Sequence, residues 1–584
     1  MKPYLFIAMV FISSIFKISG FAQSQISLGK IIVGQPSYLW FPNCKIITAD
    51  DSRSQYILDI SDVLENQTVV DLKTRGKIGV QNDIYIRGIG FEHNLVMIDG
   101  MSINDPHSGH FNFDIPLTVY DYNKIKIIPG AVAILGSNAL GGVINIETSE
   151  IKEKKFRLRT VWGQKQLNIT TISYAQPGED FNFRLSLDRK SSASYRPETD
   201  FDTSTVFFKF QFQNRPLSPD VIIGWMNKNF GADSFYSQAY NREEEHTRTF
   251  FALLTFQLSQ NIKPQIFYRR HYDRFILDRE NPDFYTNLHH THTYTFRIPV
   301  SLEFKNSFWD FGLELSRDDI KSTNLGKHLR TRFSGYLCIS RLFGDKFLAN
   351  ISLRMDKYNT HKIEFSPGVY LQYDICLGSS IYFLTQRSFR IPSFTELYYS
   401  SPANKGNPDL NPESGINFEI GLKNENDKYL WGLSLFRMFG YDVVDWGRQS
   451  LNEPWQAGNI SSLDIRGGEM WLEYKNLKFA YSYLDGDYKS EYKFYKYVAN
   501  YLRHNFNVRY RRKLFNFDIS VDFSCRKPKR PDGFFDLDVG ITKKLNVYSI
   551  FFLRIDNFFN ARQEEILGVT LPGRWLSLGM EFNF

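Results

Sequence analysis

The sequence predicts an all-β membrane protein, an antiparallel transmembrane barrel of about 22 strands carrying a separate α+β domain at its N-terminal end. Three observations lead there. The 584 residues are 16% aromatic, with 52 Phe and 33 Tyr, yet the mean hydropathy is -0.33, so apolar side chains are plentiful but interleaved with polar ones. Beyond the N-terminal segment no apolar run reaches the roughly eighteen residues of a membrane helix, which excludes a polytopic helical protein. Period-two alternation, by contrast, hides membrane-facing residues in a polar average, and it recurs from Phe156 to Phe584.

Residues 1–22 open with Lys2, continue through the apolar stretch from Leu5 to Ile12, and end Gly20-Phe21-Ala22. This is the pattern of a secretory signal peptide, with a mature start near Gln23. The competing reading, a membrane anchor, has only a short apolar run interrupted near its end by Lys17. No Cys follows the cleavage site to carry a lipid anchor. Cys44, Cys338, Cys376 and Cys525 stand far apart without a CxxC pair, and they read as isolated packed thiols.

The organisation that follows is a linker over residues 23–50, a small domain over 51–150 and the barrel over 151–584. In the barrel, Phe515, Phe517, Ile519, Val521 and Phe523 share one face, and Asn516, Asp518, Ser520 and Asp522 the other. The same alternation runs through residues 181–188, 206–213, 535–542 and 576–584. A soluble sandwich alternates too; the number of segments favours a closed barrel, in which no strand edge meets hydrocarbon unpaired. Arg184, Asp188, Lys209, Asp518 and Asp522 are expected to face the lumen, and Phe517 the lipid. The longer interruptions, residues 229–247, 276–290, 388–417, 443–463, 485–503 and 557–574, each follow an outward strand and are expected at the outer face.

The small domain repeats an apolar run followed by Gly: Ile84-Tyr85-Ile86-Arg87-Gly88, then Val96-Met97-Ile98-Asp99-Gly100, then Gly136 to Gly141-Gly142 and on to Asn145. Taken alone, these segments are hairpins of a small α+β domain. A phosphate loop at Gly136 is unsupported, since no Lys follows the second Gly. Together and in this order they resemble the plug of the TonB-dependent outer-membrane receptors. Downstream, Ser388-Phe389-Arg390-Ile391-Pro392, Gly406-Asn407-Pro408 and Pro572-Gly573-Arg574 look like blocks of the same family in order, and the end Ser577 to Phe584 resembles a barrel-insertion signal. The resemblance implies that the small domain lies inside the lumen as a plug. It departs from the family pattern at Pro129, where a basic residue is common before Gly130, and at Leu135, where an aromatic is common. The first departure puts a plug-to-barrel ion pair at the Pro129 position in question, while Arg87 remains.

Further implications follow from the resemblance. Ile26, Ser27, Leu28, Gly29, Lys30, Ile31, Ile32 and Val33 resemble a TonB box, a segment that adds as a strand to a periplasmic TonB-type energy transducer. The competing reading makes it the first strand of the plug. The stretch from Asn104 to Asn112, followed by Ile115-Pro116, lies where the cobalamin-receptor subgroup presents an apical ligand loop, and the chain is read as closest to that subgroup. By that likeness Gln81, Asn82, His107, His110, Phe111 and Asn112 are the expected ligand contacts, against the alternative that they only seal plug to barrel.

The expected function is import of a scarce, large nutrient, a cobalamin-type ligand before a ferric siderophore or haem, by energy-coupled plug remodelling. A passive porin leaves the first hundred mature residues without a purpose, and no catalytic cluster supports an enzyme. No cofactor or resident metal is expected. His289, His290 and His292 read as solvated histidines of an outer loop, and Glu243 to Glu245 as a hydrated charge run rather than calcium ligands. The net charge of +7 is dispersed over strands and turns, where it meets lumen groups or acidic outer-membrane lipid, so no nucleic-acid partner is implied. A surface lipoprotein partner would be compatible with transport.

Overall fold

A computed structural model of the chain describes residues 43–584 except 54–55, 77, 79, 214–216, 237–239, 377, 427, 498–499, 530–532 and 567. The expected signal peptide and the segment 26–33 lie outside the described residues. Among the described residues, twenty-two long antiparallel strands close one barrel, from Lys155–Gly163 to Trp575–Asn583. The seam pairs the last strand with the first, and Phe156 and Phe584 exchange backbone hydrogen bonds of 2.8 Å beside it.

The strand Phe181–Ser192 shows why the sheet must close in lipid. Asn182, Arg184, Ser186, Asp188, Lys190 and Ser192 are buried, while Phe181, Leu185 and Leu187 are exposed on the outer wall. In water that arrangement is inside out. In a bilayer it puts apolar side chains against hydrocarbon and polar ones against whatever fills the bore. Connections at one end are tight, as at 305–306, 475–476 and 515–516, and those at the other reach 232–243, 391–412 and 557–574. The long-loop end is the extracellular one.

Two details differ from the sequence reading. Phe515 is not in a strand: with Asn516 it forms a two-residue turn, at φ 53°, and the strand Phe517–Pro528 begins after it. Phe517 therefore pairs with Leu514 at the barrel rim, and Asp518 beside it is exposed. A charge at Phe517 should then cost only about 0–1 kcal/mol. Leu435 in the strand Tyr429–Arg448 is 58% exposed and lies mid-span. We expect Leu435→Arg to lower barrel stability by about 2–4 kcal/mol and Phe517→Arg by far less, read from urea titrations of barrels folded into vesicles. Equal losses would show that the depth assignment is wrong.

The N-terminal domain fills the bore. Its strands are β1 (Lys45–Thr48), β2 (Val70–Thr74), β3 (Asn82–Ile86), β4 (Asn94–Ile98), β5 (Met101–Ser102), β6 (Tyr122–Pro129) and β7 (Gly142–Thr148), with short helices α1 (Ala49–Arg53) and α2 (Ser61–Glu65). The main sheet runs β1-β6-β7-β4-β5, with β4 and β7 parallel, and β2 and β3 form a separate pair. Near-continuous apolar runs in β4, β6 and β7 follow from burial on both faces: Val96, Ile98, Ile125, Ile127, Ile144 and Ile146 are fully enclosed. The apolar-run-then-Gly motif is a tight turn. Arg87 and Gly88 both take positive φ (50° and 77°), as do Asp99 and Gly100 (46° and 81°), the requirement of a two-residue hairpin turn.

The plug meets the barrel through apolar patches, such as Ile89 and Leu140 against Phe436 and Met438, and through polar contacts between them. Arg184 donates to the Tyr120 carbonyl at 2.5 Å, Lys209 to Thr148 at 2.8 Å, Arg554 to Asp62 at 2.7 Å and Arg297 to the Gly100 carbonyl at 2.9 Å. Such bonds can be exchanged for water when the domain shifts, whereas the apolar patches oppose its motion.

Candidate functional site

The outer end of the plug carries the loop between β5 and β6, and its shape follows from a few short-range bonds. Asp105 accepts from the His107 amide (2.8 Å), and Asn112 Oδ1 accepts from the Asp105 amide (2.9 Å), folding the segment back on itself. The Ser108 hydroxyl caps the single 3-10 turn Gly109–Phe111. Arg269 on the barrel wall donates to Asp105 at 2.7 Å. Burial pushes the Asp105 carboxyl up, and the facing guanidinium outweighs it, holding the group at about 2.

Above this loop lies a cavity of about 370 Å³, walled by Phe91, Phe111, Tyr236, Tyr399, Trp446 and Tyr497 among others. Its floor is a stack of rings: His107 on His289 with centroids 4.1 Å apart, Phe91 on His110 at 4.1 Å, and Phe91 edge-on to Tyr497 at 5.2 Å. The walls come from the plug, from outer strand ends and from long loops, so no single segment encodes it.

Of the six expected contacts, His107, His110 and Phe111 line this cavity. Gln81 lies behind the wall, where it accepts from the Tyr236 hydroxyl at 2.6 Å and donates to Asp83 at 3.1 Å. Asn82 opens β3 opposite Thr74, and Asn112 is buried, donating to the Phe91 carbonyl at 3.3 Å; neither lines the cavity. Sequence reasoning missed Tyr236 and Tyr497 in outer loops and Trp446 near the outer end of the strand Tyr429–Arg448, where alternation gives way to a continuously buried stretch. It placed His289 in an outer loop, and here a signal existed. In the strand Thr286–Phe304, Asn287, His289, Thr291 and Thr293 are buried while His290, His292, Tyr294 and Phe296 alternate outward. His289 thus faces the plug, and His292 packs with Tyr268 on the outer wall, Nδ1 at 2.9 Å from its hydroxyl.

The same alternation corrects the Glu run. Glu243 and Glu245 are buried, with a Glu245 carboxyl oxygen 2.9 Å from the Tyr236 hydroxyl, whereas Glu244 pairs with Arg279 at 3.0 Å. No group of three His, Cys, Asp or Glu is arranged to hold a metal ion among the described residues.

Burial pulls the His107 imidazole down to about 4 despite the nearby Asp105 carboxylate. Between its ordinary pKa near 6.5 and 4 the unfolded loop binds a proton that the folded loop does not, so stability of the apex falls as pH falls, by about 1.4 kcal/mol per unit from this group. Protection factors of residues 103–113, taken against the intrinsic exchange rate at each pH, should fall from pH 7 to pH 5, and His107→Phe should flatten that dependence. Pride of place in the loss would pass to another group if the variant kept the full slope.

Deeper in the bore, Arg87 joins plug to barrel. Its Nε and Nη2 hold Glu469 at 2.8 and 3.1 Å, its Nη1 holds Glu419 at 2.8 Å, and its plane lies 3.9 Å over Phe436. Glu419 also accepts from Tyr382 (2.8 Å) and from Asn43 (2.9 Å), and Asn43 in turn donates to the Pro129 carbonyl at 3.1 Å. With Pro129 in the expected basic position, Arg87 takes both carboxylates. Asp99 and Asn145 instead tie the plug sheet together, Asp99 accepting from the Thr148 amide at 2.8 Å and Asn145 from the Gly100 amide at 3.0 Å. Gly141 packs its backbone against Asn94 and Ile89, a close approach that leaves no room for a larger side chain, and Gly136 packs against Leu95.

A plug sheet bonded into a closed lipid-facing barrel matches two family descriptions: the TonB-dependent Receptor Plug Domain over residues 43–143 and the TonB dependent receptor-like beta-barrel over 156–558. The chain belongs to the TonB-dependent receptor family. The receptor is therefore an outer-membrane transport protein and not an enzyme, and its family implies a TonB-type transducer in the periplasm and a small-molecule ligand. It is 21% identical over 579 residues to the vitamin B12 transporter BtuB of Vibrio vulnificus, covering 92% of both chains. It is 23% identical over 425 residues to an iron-regulated outer membrane virulence protein of Vibrio cholerae, covering 65% of this chain and 62% of that one. Among solved structures, the ferric enterobactin receptor PfeA of Pseudomonas aeruginosa superposes with a TM-score of 0.77 at 16% identity, over 95% of this chain and all of that one. The copper transporter OprC gives 0.78 at 14% identity, over 93% and 98%. The expected place in the cobalamin-receptor subgroup is corrected by these neighbours: solved structures of like fold include siderophore receptors and a copper transporter, and sequence identity is no higher to these B12 transporters than to the iron-regulated protein. Apical-loop spacing alone misled, because the plug scaffold is shared by receptors of different ligands.

Proposed function

We propose that the receptor imports a ferric siderophore or a closely similar metal chelate, captured in the cavity between the plug apex and the outer loops. The observation that carries this reading is the cavity itself. Its volume of about 370 Å³ and its wall of Phe, Tyr, Trp and His rings suit a compact chelate with apolar faces. Iron-linked and siderophore-linked names among the relatives support the same choice. Capture leaves the ligand resting on His107, His110 and Phe111, which belong to the plug, so ligand contact and plug position are linked. Residues 26–33 then pair as a strand with the transducer, and a pull on them shifts the plug within the barrel.

Purified receptor titrated with ferric siderophores, haem and cobalamin tests this reading. A ferric siderophore should quench the fluorescence of the cavity aromatics saturably, with a Kd of about 1 μM or tighter, and Phe111→Ala should weaken it at least roughly tenfold. Saturable binding of haem or cobalamin alone would refute it.

A further inference from the structure

The outer wall changes character at one height across the neighbouring strands Glu244–Thr255, Gln265–Ile276, Thr286–Phe304, Ser307–Ser322 and Gly326–Phe343. Their register sets outward side chains side by side in rows. The row Leu254, Ile266, Phe296, Leu315 and Phe333 is wholly apolar. The next row towards the long-loop end, Ala252, Tyr268, Tyr294, Arg317 and Thr331, carries two tyrosines of the kind that settle at a membrane interface. Beyond it stand Phe250, Arg270, His292, Asp319 and Leu329, and then Arg248, Tyr272, His290, Lys321 and Lys327. Arg248, Arg270 and Lys321 are exposed while their chain neighbours Thr249, His271 and Ile320 are buried, so these cations point away from the bore.

Their charge is not balanced by the protein. Arg248 donates to Asn227 Oδ1 at 3.0 Å and lies 5.6 Å over the Tyr272 ring, two neutral partners. Arg270 and Lys321 pair with no carboxylate among the described residues. Asp319 is the one acidic side chain in these rows, and it sits 3.9 Å from Arg317. Other stretches of the same outer wall are built differently. Arg189 meets Asp202 at 2.7 Å, Arg387 meets Glu364 at 2.8 Å, Arg437 meets Asp464 at 2.7 Å and Arg466 meets Asp485 at 2.8 Å. Crowded like charges without counter-charge repel one another, and an anion held among them removes that cost.

We infer that this patch holds the phosphorylated headgroup of an outer-leaflet glycolipid whose acyl chains lie down the apolar row beneath it. Position selects a lipid over a soluble anion, because the cations begin directly above side chains that face hydrocarbon, at the level where lipid phosphates stand. The guanidinium forks of Arg248 and Arg270 suit phosphate oxygens, and the Tyr272 hydroxyl and the imidazoles of His290 and His292 add hydrogen-bonding groups beside them.

Full-length receptor in detergent, titrated with diphosphorylated lipid A and with the same lipid stripped of phosphate and read by native mass spectrometry, tests this. The phosphorylated lipid should bind at least roughly tenfold tighter. The triple variant Arg248→Gln, Arg270→Gln, Lys321→Gln should lose about 100-fold in affinity for it. Arg437→Gln, on a balanced stretch of wall, should bind as the parent does, and Asp319→Asn should bind about fivefold tighter. Heat-modifiable gel migration reports a closed barrel in each case. Should the triple variant fail to close, Asp319→Asn decides, and an unchanged affinity there would overturn the inference. Equal binding of the two lipids, or parental binding by a closed triple variant, would overturn it as well. Displacement of lipid A by inorganic phosphate, where sodium chloride of the same ionic strength leaves it bound, would assign the patch to a soluble anion instead.

Discussion

Replacing Arg87 by Met should destabilise the plug within its barrel by about 3–5 kcal/mol, because it strands Glu419 and Glu469 without their shared cation. Both carboxylates are almost wholly buried, at 0% and 6% side-chain exposure, and the guanidinium between them is 4% exposed. Met retains the stem that packs beside Phe436 but none of the three charge-assisted bonds. Cells carrying the variant should become permeable to bulky antibiotics that an intact outer membrane excludes, and purified receptor should lose plug protection in hydrogen exchange. The compensated variant Arg87→Met with Glu419→Gln and Glu469→Gln should recover much of the loss, since removing the orphaned charges removes most of the penalty. If Arg87→Met alone left both readouts unchanged, the ion triad would not be what holds the plug.

Deleting residues 26–33 should abolish uptake while leaving ligand binding at the surface intact. The described walls of the cavity come from the plug apex and the outer strand ends and loops, whereas the proposed strand addition to the transducer depends on residues 26–33 entirely. Radiolabelled ferric chelate should accumulate on, but not in, cells with the deletion. A single Pro in place of Ile31 should reproduce most of the effect, because it removes a backbone donor from the added strand. Continued uptake at the parental rate would mean that the bore passes ligand passively.

How much could be read beforehand depended on whether the signal was local. Lipid-facing and lumen-facing residues alternate along a strand by covalent geometry, so Leu185, Leu187, Arg184 and Asp188 were assignable from spacing alone. His289 obeys the same rule and was still misplaced, because a run rich in His and Thr looks like a loop when alternation is not carried through it. Phe515 failed for the opposite reason. It continues the apolar rhythm but falls in a turn, and a rhythm does not say where a strand stops. In the plug, the Arg87-Gly88 and Asp99-Gly100 turns were visible because paired positive φ angles favour few residues, yet nothing local revealed that Arg87 would meet Glu419 and Glu469, more than three hundred residues away.

The amino-acid order by itself therefore determined the barrel, its polar bore, the separate domain ahead of it and the family to which the receptor belongs. Those properties repeat over many residues or sit in short motifs. Only the tertiary structure decided which carboxylates Arg87 locks and that His107 stacks on His289. Each of these is a meeting of side chains from distant strands and loops, and the register and curvature that bring them together are set by the closed sheet as a whole.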